Sequence, residues 1–277
     1  MDRLDALKSI AAQASRGELS FPTNVDATLR LQQALNDPEC HADMAARLVQ
    51  AEPLLAARTV AIANSVTYNR SGNDVTNVRA AVQRVGFRTL GALAAAVIVR
   101  QLSSEITDPD LRQRADALWR HSAHVAALAQ VIARRVSFVD PETAMFAGIV
   151  HEVGGFYMLS RAHDYPGLLD GDADEWLEHG EVAIGRGVLL RLGVPTPVMG
   201  AIEAMWNGMR ALPPETLGDT LLLANDLSPV PSPLLERPGA TTFAAAASID
   251  FAVGDGTLAR IMEESAHEVQ SLTAALL

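Results

Sequence analysis

Thr143-Ala-Met-Phe-Ala-Gly-Ile-Val-His-Glu-Val-Gly-Gly-Phe156 is an apolar run that closes on an imidazole and a carboxylate, His151 and Glu152. Asp140 precedes it as a side-chain cap and Pro141 as a first-turn residue, so the run reads as a helix. Met145, Phe146 and Ile149 face a core, and His151 arrives at the C-terminal end. Gly154-Gly155 is expected to end that helix. Adjacent His and Glu side chains are also a donor pair for a catalytic metal, so the same residues bear on fold and on chemistry.

Outward from this run, apolar residues recur three or four apart almost throughout, and alternating β-branched runs are few. Upstream, Leu111–Val136 is a long helix with Leu118, Val125, Leu128 and Ile132 on one face and His121 at its edge. Before it, helices are predicted over Asn24–Asn36, His41–Gln50, Pro53–Asn64, Val75–Val85 and Arg88–Gln101, the last two separated at Gly86. Asn36-Asp37-Pro38 stops the first, because proline disfavours helical geometry in the residue before it. Downstream, helices fall at Asp174–Leu192, Pro197–Trp206, Pro214–Leu227 and Gly256–Leu277, and the proline-rich Ser228–Gly239 reads as a surface loop. The fold class is therefore all-α. A five-helix N-terminal unit (1–110) packs on a second helical unit (111–277), with the boundary in the polar stretch Ser103–Asp110.

Composition narrows the function. Residues 1–110 carry 11 basic and 12 acidic side chains, whereas 111–277 carry 11 and 21. That acidic half argues against nucleic acid as the partner, since such binding depends on Lys and Arg neutralising phosphates. No long uninterrupted apolar stretch or basic, apolar leader is present, so no membrane partner is expected and a cytoplasmic location is. The single cysteine, Cys40, excludes an internal disulfide framework, and a lone Cys40-His41 dipeptide does not define a nucleophile and its base.

Two ordered runs resemble a known family. Phe21-Pro22, Leu29, Leu35-Asn-Asp-Pro38, Ala45, Leu48, Glu52-Pro-Leu-Leu55, Ala63-Asn-Ser65, Tyr68, Ala80, Val85-Gly86 and Leu90 are similar to the N-terminal half of the HDOD domain. Leu118-Trp-Arg-His-Ser122, Ala147-Gly-Ile-Val-His-Glu-Val-Gly154, Glu178-His-Gly-Glu-Val182, Gly185 and Leu192-Gly-Val-Pro195 resemble its C-terminal half, over residues 20–226 in all. The resemblance implies a small helical bundle packed on a degenerate relative of the HD-type metal phosphohydrolases, and a role in bacterial signal transduction. It places metal-ligand positions on His121, His151, Glu152, His179 and Asp226.

An HD hydrolase gathers such groups around one or two divalent metals, which polarise a phosphoryl oxygen and lower the pKa of a bound water to about 7. Three departures weaken that reading. Glu152 stands where the superfamily has aspartate, Gly155 replaces a lysine that often follows the doublet, and Met205 and Trp206 occupy the place of further histidines. Plain structural readings stand beside each candidate. His121 and the His151–Glu152 pair fit hydrogen-bonded helix residues, His179 follows Asp172, Asp174 and Glu175 on an acidic face, and Asp226 suits a helix end. The expectation is a non-catalytic output or adaptor module with vestigial ligand positions and no cofactor. It would act on signalling proteins, with room for a small ligand between its halves and a C-terminal helix that packs at home or on a second copy in a homodimer. The alternative is a divergent metal-dependent phosphohydrolase acting on a nucleotide or cyclic dinucleotide.

Overall fold

A computed structural model describes residues 3–35, 37–170, 175–208, 211, 213–234 and 256–277. Among them all regular structure is helical and no strand occurs, as predicted. In chain order the helices are α1 (Arg3–Ser15), α2 (Thr23–Leu35), α3 (Ala42–Gln50), α4 (Pro53–Ala63), α5 (Val78–Leu102) and α6 (Pro109–Ile132), which continues as a π-helical turn, Ala133–Ser137. Then come α7 (Pro141–Val150), α8 (Val153–Arg161), a π-helix (Trp176–Gly185) running into α9 (Arg186–Arg191), α10 (Thr196–Trp206), α11 (Leu217–Asp226) and α12 (Thr257–Leu276).

Local chemistry sets these boundaries. His41 Nδ1 accepts from the Met44 N–H, Asn77 from Ala80, Asp108 from Asp110 and Leu111, and Asp140 from Thr143, each satisfying donors that a helix start leaves free. Pro53, Pro109 and Pro141 fill first turns, where the missing N–H costs nothing. The last cap is reciprocal, with the Thr216 hydroxyl and the Asp219 carboxylate each bonding the other's backbone. Burial pushes the Asp219 carboxyl up, but the Thr216 hydroxyl and the N–H groups of Ala211, Thr216 and Glu215 outweigh it and hold it below its ordinary value. A carboxylate with a depressed pKa stabilises the fold fully above the unfolded value of about 3.9, and that contribution is lost as pH falls through the folded value. Asp219→Ala is accordingly expected to cost about 2 kcal/mol at pH 7 in urea unfolding, with the difference from the parent shrinking below about pH 4.

Gly86, at φ 76° and ψ 169°, breaks α5 where the sequence separates two helices. Helix α5 is long and apolar enough to match a membrane span, yet 67% of that window is buried, and Ala92 to Val99 form the middle of the core. It packs on α2, α3 and α4 on one side and α7 and α8 on the other. At the seam, the Gln130 amide donates to the Tyr68 hydroxyl (3.0 Å), which pairs with Thr89 (3.1 Å).

Two helices were not foreseen, and both involve small residues. Helix α1 buries Ala6, Leu7, Ile10 and Ala14 against the π-helix and α9, a stripe too narrow to stand out in sequence. Helix α8 begins at Val153, so Gly154-Gly155 starts a helix where the sequence predicted an end. The physical reason is space: a Cβ on Gly154 would lie 2.8 Å from Gly185 Cα and 3.0 Å from the Gly180 carbonyl. Asn64, too, ends α4 without left-handed geometry (φ −93°), and its amide instead pairs with both the N–H and the C=O of Val75, clipping the loop between α4 and α5. The helix predicted from Gly256 begins at Thr257, with Gly256 as its N-cap, while Asp174 and 235–239 of the predicted loop lie outside the described residues.

Helix α12 packs at home. Leu258, Leu272 and Leu276 are buried, and the helix lies on α4 and α6, so it touches both halves of the chain. Arg58 of α4 donates to the carbonyls of Ala275, Leu276 and Leu277, and the Trp119 indole N–H donates to Leu276 (3.2 Å).

Candidate metal centre

Helices α6 and α7 approach at a glycine. A Cβ on Gly148 would lie 2.5 Å from Ala126 Cα and 2.8 Å from its nitrogen, so the backbones touch. One turn later α7 ends, His151 is its C-cap, and Glu152 is the residue preceding α8 with its carboxylate not used in capping. The close approach brings the His151 Nε2 within 3.3 Å of the His121 Nε2 on α6, and a Glu152 oxygen lies 3.9 Å from the latter. Donor atoms of all three residues lie within 4.8 Å of one another, and no other such group of His, Cys, Asp or Glu occurs among the described residues.

Hydrogen bonds fix the ring orientations. His121 Nδ1 lies 2.7 Å from the Val230 carbonyl and His151 Nδ1 lies 2.8 Å from the Gly148 carbonyl. A carbonyl only accepts, so each Nδ1 carries the hydrogen, and in the neutral rings both Nε2 lone pairs face each other. Two facing lone pairs beside a carboxylate call for a cation, and backbone carbonyls behind the imidazoles are the outer-shell arrangement of metal-bound histidines. The donor set therefore fits one divalent ion of the borderline kind held by His121, His151 and Glu152. The added methylene of Glu152 does not remove it from the group, because its place just ahead of α8 aims it there.

Burial is nearly complete, with His121 at 2%, His151 at 3% and Glu152 at 6% exposure. The segment Ser228–Leu234 lies against the donor residues: Val230 accepts from His121 Nδ1, and a Cβ on Gly155 would lie 2.6 Å from a Leu234 methyl and 3.4 Å from a Glu152 oxygen. Neither remaining candidate joins. His179 is half-exposed on the π-helix, and Asp226 is the last residue of α11, ahead of that segment. Met205 and Trp206 are buried in the core. The site residues missed in sequence are Val230 and Leu234, since a backbone carbonyl has no sequence signature and the prolines around it read only as a loop. Burial and then Asp37 push the Cys40 thiol pKa up, away from thiolate.

A second feature lies between the halves. A groove of about 310 Å³ is lined by Gln32, Phe87 and Arg88 on one side and Glu142, Phe146 and Val198 on the other.

The HDOD domain family matches residues 21–178. In fold the chain is similar to a candidate metal-dependent phosphohydrolase from Shewanella amazonensis SB2B, at 20% identity over 100% of both chains with a TM-score of 0.76. It is similar also to an HDOD domain protein of unknown function from Geobacter sulfurreducens, at 20% identity over 99% of each chain (TM-score 0.63). A candidate signal transduction protein from Marinobacter aquaeolei VT8 matches at 18% identity, covering 99% of this chain and 66% of its own (TM-score 0.60). No curated protein matches the chain. At these identities the solved structures speak for the fold alone, whereas the family match extends over more than half of the sequence: the chain belongs to the HDOD domain family.

Proposed function

We propose that this protein is a cytoplasmic, non-catalytic signalling output module that works through contacts with other signalling proteins. The observation that carries this reading is the closure of the donor group. A phosphohydrolase must bring a phosphoryl group against its metal, but here the ligands are at most 6% exposed, and the Leu234 side chain occupies the notch at Gly155 beside Glu152. The basic side chain that would hold a phosphate is also absent at Gly155, whose place is filled by Leu234 and Leu118. His121, His151 and Glu152 would hold a divalent ion, which would supply charge here, with His121 and His151 oriented by carbonyls and Glu152 offsetting one of its two charges. The groove at Phe87 and Phe146 is where a small ligand would bridge the halves.

The convergence of two histidines and a glutamate favours, as a second reading, a divergent hydrolase that opens. Hydrolysis assays separate the two. Protein supplied with manganese, iron or nickel is expected to turn over cyclic dinucleotides and nucleotides no faster than His151→Ala. A parent rate ten or more times that of the variant would establish the hydrolase.

A further inference from the structure

We infer that Ser228–Leu234 is a latch whose hold on the molecule depends on a divalent cation at His121, His151 and Glu152. This rests on the reading of the closed site above and adds a regulatory part to it. The segment has few ways to hold itself in place. Pro229, Pro231 and Pro233 have no backbone N–H, so Val230, Ser232 and Leu234 alone can donate between 229 and 234. Its internal bonds are local, with Ser228 Oγ donating to the Val230 carbonyl at 2.8 Å and Leu234 N–H reaching the Ser232 hydroxyl at 3.4 Å.

Beyond the buried Ser228, whose N–H bonds the Asn225 carbonyl of α11, two pins fasten it to the body, and both bear on the donor residues. The first is the His121 Nδ1–H bond to Val230. The second is the Leu234 side chain, seated in the notch that Gly155 leaves beside Leu118 and the Glu152 carboxylate. With a cation on Nε2, the His121 ring loses electron density and its Nδ1–H becomes a stronger donor to Val230, while Glu152 is drawn toward the ion and its edge of the notch is fixed. Without one, the facing Nε2 lone pairs repel, and the His121 ring is held by the bond to Val230 alone. By linkage, anything that lifts the latch weakens cation binding by the same factor. Pro229 and Pro231 are exposed on the outer side, so a partner can reach the latch without entering the site.

The test uses the full chain with Cys40→Ser and Pro231→Cys, carrying a nitroxide at position 231, and zinc as the cation. Stoichiometric zinc is expected to slow the label's motion relative to protein in EDTA, and His151→Ala, which keeps both His121 and Leu234, should abolish both zinc binding and the slowing. Leu234→Ala, which removes a pin but no ligand, should leave the label mobile in EDTA and weaken zinc about tenfold. Unchanged label motion with zinc bound through His151, or zinc affinity unaltered in Leu234→Ala, would overturn the latch, as would a parent protein that takes up no zinc. Discovery of hydrolysis would instead overturn the non-catalytic reading and leave these observations standing.

Discussion

Trp119→Ala should cost about 3–5 kcal/mol in equilibrium unfolding, a large share of the 5–15 kcal/mol typical of a domain. Trp119 is 2% exposed on α6 and meets Phe156 edge-on, ring centroids 6.3 Å apart. Its indole N–H holds the Leu276 carbonyl, and the Arg58 and Arg100 guanidinium groups lie 5.9 and 5.7 Å from its ring. The arginines are of like charge, and burial and then Arg100 lower the Arg58 pKa, so the ring face is what makes their proximity tolerable. Removing it opens a cavity, takes away one of the side-chain bonds to the end of α12 and strips the ring from beside the two cations. Trp119→Phe keeps most of the apolar volume and loses the hydrogen bond, so a cost nearer 1–2 kcal/mol is expected. An alanine variant less than 1 kcal/mol below the parent would show that α12 is held by other contacts.

Gly148→Ala is expected to cost about 2–3 kcal/mol, although alanine is the better helix former. The atoms a new methyl would meet are the backbone of Ala126, which cannot rotate away, so α6 and α7 must move apart. The same movement separates His121 from His151. Gly200→Ala is the control: it sits in α10 with nothing within 4 Å of the added Cβ, and should leave stability unchanged or raise it by about 0.5–1 kcal/mol. Equal effects at the two positions, by urea unfolding, would show that close packing at Gly148 is not what the glycine provides.

Much of this molecule was legible residue by residue. The cap at Asp140 and the break at Gly86 depend on bonds or dihedrals within a few residues, so a linear reading reaches them, whereas the caps at Asn77, Asp108 and Thr216 start their helices at Val78, Pro109 and Leu217, two or three residues from the starts read at Val75, Leu111 and Pro214. The doublet His151–Glu152 was placed correctly at a helix end for the same reason. Gly154-Gly155 misled because glycine serves two purposes that look alike in sequence: freedom at positive φ, as at Gly86, and room for another backbone, as here against Gly180 and Gly185.

By itself, then, the sequence determined the all-α class, the helix starts marked by Pro53 and Pro141, and the set of titratable side chains from which any metal site must be drawn. Tertiary structure decided which of them meet. Contact between Gly148 and Ala126 aligns His121 with His151, while His179 and Asp226, carried on other helices, stay outside the group. It also decided that the group is buried, and that a Val230 carbonyl far along the chain orients His121 while a Leu234 methyl sits beside Glu152. Helical periodicity and capping are short-range consequences of backbone hydrogen bonding, whereas a ligand set and its cover depend on how closely separate helices can approach, and that is fixed by packing.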